Sequence, residues 1–181
     1  MPPPVVKTVR DIIFYQYAKI ISESAGYGKK NYGFIMSKWK KLKDGSEEWS
    51  TAIREWVKEH ENPNECIYCG STAALTTEHI LPRDRGGPDT ADNAIRVCKS
   101  CNSSKGDKRL YEWKGLENKD KHHRIAEGKY LKLLYKLHEE AGTLDYTAKE
   151  LCADCDMGKK CLSAGTAGKL TVYCVEGKWK K

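Results

Sequence analysis

A chain of 181 residues has room for one sizeable core, or for one catalytic module with appendages. Charged residues make up 31% of it, no apolar run reaches membrane-spanning length, and the Met-Pro-Pro-Pro start lacks the apolar region of a signal peptide. We therefore expect a cytoplasmic protein without a membrane partner. In that reducing compartment, eight cysteines indicate metal ligands rather than disulfides.

The net charge of +7 is unevenly distributed along the chain. Residues 1–60 carry 11 basic and 7 acidic side chains, and residues 151–181 carry 6 and 3. Residues 61–110 and 111–150 each balance to zero. The positive charge that would attract a polyanion therefore lies outside the centre of the chain.

The first 62 residues are expected to be helical. Apolar spacing predicts a helix over residues 5–24, a short helix over residues 34–43, and a third helix that starts after Ser46 and ends at Asn62-Pro63. The third has an apolar face formed by Trp49, Ala52, Ile53, Trp56 and Val57.

Residues 26–43 contain six lysines and no acid, with aromatic residues interleaved. This pattern is typical of a phosphate-binding surface, and equally of a solvated helix face. The lysines proposed to neutralise phosphates are Lys38, Lys40, Lys41 and Lys43.

Two Cys-x-x-Cys pairs occupy the central segment, Cys66 with Cys69 and Cys98 with Cys101. Four thiolates in two short pairs match the tetrahedral coordination that zinc prefers. The 28 residues between the pairs are more than a plain zinc ribbon needs. The insert therefore requires its own explanation.

The insert contains the sequence TTEHILPRDRGG. Its pattern predicts a strand over residues 73–80, a loop, a returning strand over residues 93–97, and a helix from Cys98 to Trp113. This order lets Glu78, His79 and Asn102 converge. Carboxylate and amide oxygens suit magnesium, and a histidine beside such an ion is placed to deprotonate a water.

Residues 66–109 resemble an HNH endonuclease of the ββα-metal type with a four-cysteine zinc clasp. The resemblance implies that Glu78 and Asn102 bind the catalytic Mg²⁺ or Mn²⁺ and that His79 is the general base. It implies that Asn93 orients the loop and the histidine, or binds the metal. Glu78 stands where the family more typically has aspartate or histidine. The implied products are a 5′-phosphate and a 3′-hydroxyl.

Basic side chains flank the proposed centre. Arg85 and Lys105 are candidates for holding the phosphate backbone, with ordinary solvated charges as the alternative.

The end of the chain contains a second group of cysteines. A helix is predicted from Arg124 to Glu140, and Thr147 with Glu150 would cap a short helix after it. Residues 165–177 then suggest a hairpin that returns Cys174 to the other cysteines. The group predicts a second zinc site, with an iron–sulfur cluster as the alternative. It comprises Cys152, Cys155, Cys161 and Cys174.

These observations predict an α+β fold with a small ββα-metal core clasped by a four-cysteine zinc site. The expected segments are residues 1–62, a helical region and candidate for DNA binding; 63–112, the nuclease; 113–146, a helical linker; and 147–181, a small module resembling a zinc ribbon. The expected function is metal-dependent hydrolysis of DNA, with RNA as an open alternative substrate. A non-catalytic zinc protein that binds nucleic acid is the alternative function. The oligomeric state is left open.

Overall fold

The computed structural model describes residues 2–48, 64–153, 155, 161 and 169–177. Two compact units are present. A terminal unit combines Met1–Ile53 with Leu134–Lys181, and a central unit comprises Arg54–Leu133. The predicted third helix of the N-terminal region lies outside the described residues.

The central unit is built around two antiparallel strands, β1 (Leu75–His79) and β2 (Ala94–Cys98). Leu75 pairs with Cys98 and His79 with Ala94, so the end of β1 lies beside the start of β2. A helix, α3 (Lys99–Lys105), follows β2 directly. The structure thus confirms a mixed fold of helices with a small two-stranded sheet.

The predicted long helix after Cys98 is interrupted. The helix α3 ends at Lys105, and a second helix, α4 (Leu110–Lys114), begins after a turn. Gly106 has φ +54°, a backbone conformation that ends a right-handed helix. The prediction of a single helix from Cys98 to Trp113 was therefore wrong.

The loop between the strands is compact. It contains 3-10 helices over Arg83–Arg85 and Ala91–Asn93. Gly87 packs so closely that a Cβ atom there would overlap the carbonyl oxygen of Leu81. Only glycine permits this approach, which explains the second glycine of the Gly-Gly pair.

The terminal unit begins with helices α1 (Val9–Ser24) and α2 (Tyr32–Asp44). Thr8 and Asp11 form a capping box at the start of α1. The indole of Trp39 on α2 donates to the carbonyl of Asp11 at 3.1 Å, which joins the two helices. Both helices match the predicted ones, with small differences at their ends.

The long helix α5 has the predicted bounds, Arg124–Glu140. Its apolar residues Ala126, Tyr130, Leu133 and Leu134 are buried, while Leu137 is half-buried. The predicted cap of the next helix, α6 (Ala148–Ala153), is present, because Glu150 accepts from the Thr147 backbone at 2.8 Å. Within the described part of the chain, no helix is long and apolar enough to cross a membrane.

The described end of the chain differs from the predicted hairpin. Residues 169–177 form turns and a 3-10 helix over Cys174–Glu176 instead of a return strand. The backbone amide of Cys174 donates to Thr171 at 3.0 Å, and that of Gly177 donates to Cys174 at 3.0 Å. Such local hydrogen bonds take the place of a cross-strand ladder.

Candidate functional site

Four cysteine sulfurs converge at one end of the small sheet, and we call this group the clasp: Cys66, Cys69, Cys98 and Cys101. The first pair lies on a turn in which Gly70, at φ +75°, donates to the carbonyl of Cys66 at 2.7 Å. Cys98 ends β2 and caps α3. All four sulfurs lie within 4.8 Å of one another.

The geometry of the clasp fits zinc. Zinc–sulfur bonds of about 2.3 Å in a tetrahedron place sulfurs roughly 3.8 Å apart, and Cys69 and Cys98 are separated by 3.7 Å. The backbone amide of Cys101 donates to Cys98 and lowers the pKa of that thiol to about 7. Burial among thiols raises the pKa of Cys101. A cluster of this donor type could hold a metal ion.

Glu78 on β1 is buried, and its two carboxylate oxygens have different surroundings. Oε1 lies 2.8 Å from the Lys105 ammonium and accepts from the Tyr68 hydroxyl at 3.2 Å. Oε2 is buried and has no hydrogen-bond partner. Burial raises the pKa of Glu78 above its ordinary value, although the Lys105 ammonium opposes this rise.

His79 follows Glu78 at the end of β1 and is half-exposed. Its Nε2 atom lies 3.0 Å from Oδ1 of Asp89 in the loop. Arg83 lies on the other side of Asp89, with Nη1 3.7 Å from Oδ2. The hydrogen bond with His79 and the charge of Arg83 lower the pKa of Asp89. Asp89 is therefore a charged partner for the imidazole.

Asn93 is fully buried and holds the loop through its side-chain amide. Its Oδ1 accepts from the Leu81 amide at 2.9 Å, and its Nδ2 donates to the carbonyls of Leu81 and Pro88, both at 2.9 Å. With these bonds the side chain fits the orienting role rather than a metal ligand. Since Leu81 follows His79 by two residues, Asn93 also fixes where β1 ends.

Asn102, the other proposed metal ligand, is half-exposed on α3. It lies three residues before Lys105, so both occupy one face of the helix. Because Lys105 reaches Glu78, this face is directed towards the carboxylate.

The two proposed phosphate-binding residues differ in position. Lys105 is completely buried, contacts Glu78 and donates to the carbonyl of His79 at 3.3 Å. This placement disagrees with a phosphate clamp, because a buried and paired ammonium cannot meet a backbone phosphate. Arg85 is partly exposed, with Nη2 3.9 Å from Oδ2 of Asp107. Its geometry leaves the phosphate-binding role open.

The lysines of α2 also separate into two pairs. Lys38 contacts Glu47 at 2.9 Å, and Lys43 contacts Asp11 at 2.7 Å. Lys40 and Lys41 are exposed on the same helix. The charge pattern of the sequence therefore overstates the positive charge available to a partner.

The C-terminal cysteines are partly brought together. Partial desolvation of its sulfur and the neighbouring thiols of Cys174 and Cys161 raise the pKa of Cys152. The sulfur of Cys155 is so close to Gly177 that a Cβ atom there would lie 2.9 Å away. Among the residues that the structure describes, only the clasp has its four sulfurs within metal-binding reach of one another. The second zinc site stays a prediction.

Comparison with known families identifies the segment that contains the clasp, Glu78 and His79. Residues 66–108 match the model of the HNH endonuclease family. Residues 66–108 therefore form a domain of the HNH endonuclease type. This confirms the resemblance noted from the Glu-His pair and the clasp.

A curated relative agrees with the family match. A CRISPR-associated endonuclease Cas9 from Corynebacterium diphtheriae is 38% identical over an alignment of 53 residues, and the match covers 27% of this chain and 5% of that protein. The likeness therefore concerns one small segment of a much longer protein. No solved structure gives a significant match to the chain.

Two residues of the HNH domain were missed by the sequence analysis. Tyr68, inside the first Cys-x-x-Cys pair, contacts Glu78, and Asp89, after the Gly-Gly turn, contacts His79. The carboxylate of Asp89 in the loop was a usable signal, because a basic histidine is commonly oriented by an acid. Nothing in the sequence around Tyr68 indicated its contact with Glu78.

Proposed function

We propose that the chain is a metal-dependent HNH endonuclease that hydrolyses phosphodiester bonds of DNA. One observation carries the proposal: within the HNH domain, a buried carboxylate with an unpaired oxygen is adjacent in sequence to a half-exposed histidine held by an aspartate. A structural role for the insert explains neither the unpaired oxygen nor the His79–Asp89 pair.

The surroundings of Glu78 fit a hard divalent cation. A buried oxygen without a hydrogen-bond partner destabilises the fold by about 1–3 kcal/mol, and by more when the group is charged. A polar partner is therefore expected at Oε2. Magnesium and manganese accept carboxylate and amide oxygens and keep several waters. Glu78 and Asn102 would hold the ion. When bound, it would neutralise charge on the phosphate and on the departing 3′ oxygen.

His79 is suited to act as the general base. The ionised Asp89 accepts a hydrogen bond from Nε2–H, and this assignment leaves Nδ1 with a free lone pair. His79 then removes a proton from water, and the oxygen attacks the phosphorus as the bond to the 3′ oxygen breaks. The departing 3′ oxygen takes up a proton from a second water. The products are a 5′-phosphate and a 3′-hydroxyl.

Positive side chains outside this centre would hold the DNA. Because residues 61–110 have no net charge, we assign the phosphate contacts to Arg85 and to the lysines of α2. Lys40 and Lys41 support this assignment, since both are exposed on one helix. Such contacts attract any duplex and do not select a sequence.

Incubation of supercoiled plasmid with the protein tests this function. We expect Mg²⁺ or Mn²⁺ to produce relaxed or linear plasmid, and a chelator of these ions to prevent it. DNA ligase should reseal the nicks, because the expected ends are a 5′-phosphate and a 3′-hydroxyl.

Two other outcomes would point elsewhere. Binding of the plasmid without any nick would favour the non-catalytic zinc protein. Cleavage of RNA in preference to DNA would correct the substrate. His79→Ala protein purified in the same way controls for contaminating nucleases.

A further inference from the structure

Three carboxylates of the HNH domain form ion pairs around the proposed centre. Lys105 lies 2.8 Å from Glu78, Arg83 lies 3.7 Å from Asp89, and Arg85 lies 3.9 Å from Asp107. The Glu78–Lys105 pair differs from the other two, because both side chains are almost completely buried, at 5% and 0% exposed. Its charges are therefore screened least by water.

A buried ammonium beside a metal ligand opposes metal binding. A divalent cation at Oε2 of Glu78 would share this one carboxylate with the Lys105 ammonium at Oε1. Like charges separated by a few ångströms in a protein interior repel each other strongly. Orientation of Glu78 alone does not require a charge, since the neutral Tyr68 hydroxyl already donates to Oε1.

We propose that Lys105 keeps the ion-binding site electrically neutral, so that a divalent cation binds weakly to the free protein and tightly only when a phosphodiester supplies negative charge. The inference rests on the proposed function and adds to it the order in which nucleic acid and metal bind. Metal and nucleic acid then bind cooperatively, and each raises the affinity of the protein for the other by the same factor. Such a domain holds little catalytic ion while no nucleic acid is bound.

Titration of the zinc-loaded full chain with Mn²⁺, followed by the paramagnetic resonance signal of free Mn²⁺, tests the inference without cleavage. In Lys105→Gln the amide can still donate to Glu78, but the positive charge is gone. We expect this variant to bind Mn²⁺ roughly 5–150-fold more tightly than wild type, the usual range of such coupling. Lys108→Gln, at an exposed lysine just after α3, is the matched control and should leave the affinity unchanged.

A second arm uses the unmodified protein and remains informative if Lys105→Gln fails to fold. A short phosphorothioate DNA duplex, chosen as a slowly cleaved phosphodiester, should tighten Mn²⁺ binding by a similar factor. Equal Mn²⁺ affinity in a folded Lys105→Gln variant would overturn the inference. In the absence of that variant, equal Mn²⁺ affinity of wild type with and without the duplex would overturn it.

Glu78→Gln separates this inference from the proposed function. We expect this variant to lose Mn²⁺ binding while it retains zinc. If it bound Mn²⁺ as well as wild type, the ion site of the proposed function would be wrong, and the inference would fail with it. Loss of Mn²⁺ in Glu78→Gln together with no change in Lys105→Gln would overturn the inference alone.

Discussion

The clasp and the Glu78–His79 centre occupy one small domain, but their side chains are assembled in different ways. The clasp uses four identical residues from two local turns, and their sulfurs lie within 4.8 Å of one another. The Glu78–His79 centre on β1 is contacted by three other parts of the domain: Tyr68 from the turn between Cys66 and Cys69, Asp89 from the loop, and Lys105 from α3. Local spacing builds the first site, and tertiary packing builds the second.

The two regions also differ in charge. The clasp offers four thiols within 4.8 Å of one another, and zinc binds such groups as thiolates, so the ion meets only negative ligands there. At the centre, the ammonium of Lys105 offsets the charge of Glu78. We therefore expect the clasp to retain its metal permanently and the centre to exchange its ion.

Loss of the clasp should have the largest effect. Cys66→Ser removes a buried ligand, and structural zinc in small domains contributes about 10–16 kcal/mol of apparent binding free energy. This exceeds or equals the free energy of unfolding of most domains, about 5–15 kcal/mol. We expect the central unit to lose zinc and unfold, as measured by elemental analysis and circular dichroism.

Cys152→Ser, at an exposed cysteine outside the clasp, is the control for this loss and also tests the second zinc site. If the C-terminal cysteines bind zinc, this variant should lower the zinc content from about two ions per chain to about one and leave the central unit folded. A zinc content near one ion per chain in the wild-type protein would show that the C-terminal cysteines bind no zinc. A folded, zinc-loaded Cys66→Ser protein would contradict the account of the clasp.

Replacement of Glu78 should abolish the use of Mg²⁺ or Mn²⁺ and spare the zinc. Lewis-acid stabilisation is worth several kcal/mol, so we expect Glu78→Gln to reduce the cleavage rate by about 10³-fold. Asn102→Ala should reduce it less, since an amide binds a cation more weakly than a carboxylate. Parallel measurements of rate against Mn²⁺ concentration and of zinc content check this. Release of zinc by either change would show that the two metal sites are not independent.

Replacement of Asp89 should have an intermediate effect. Asp89→Asn removes the charge that fixes the His79 imidazole, and loss of an orienting partner typically costs about 10–100-fold. The reduction should appear in kcat rather than KM. Nitrogen NMR of the ring should show that the Nε2–H form is no longer favoured.

Asp92→Asn is the matched control, because Asp92 is exposed in the same loop. It should leave both the rate and the tautomer unchanged, and Asp89→Glu should restore part of the rate. If Asp89→Asn behaved like Asp92→Asn, the orienting role of Asp89 would be excluded.

The lysines of α2 should give the smallest effect. Each phosphate contact contributes about 0.9 to the slope of log affinity against log salt, so Lys40→Gln with Lys41→Gln should lower this slope by about 2 for any duplex. Lys38→Gln with Lys43→Gln should lower it less, because these lysines pair with Glu47 and Asp11. A wild-type slope in both double variants would place the DNA-binding surface elsewhere.

Several elements were predictable because their signals are local. The bounds of α5, the cap at Thr147 and the approximate positions of β1 and β2 follow from spacing within a few residues. The break at Gly106 and the turn around Cys174 were missed. An apolar pattern that continues across a glycine does not show where the backbone leaves the helix.

The chemistry of the centre was only partly predictable. The sequence predicted that Glu78, His79 and Asn102 converge, and it marked Lys105 as a positive charge. Whether that charge faces solvent or a buried carboxylate depends on packing between α3 and β1, elements separated by many residues. For Asp89, the sequence shows an acid ten residues after His79, but the conformation of the loop decides that the two side chains meet.

The cleavage rate of His79→Ala tests the central claim most directly. Single-turnover nicking of plasmid in Mn²⁺ should be slower than wild type by about 10²–10⁴-fold or more, as expected for loss of a general base. Zinc content and circular dichroism should be unchanged. His123→Ala, at an exposed histidine outside the HNH segment, should cleave at the wild-type rate. Wild-type cleavage by a folded His79→Ala protein would contradict the account.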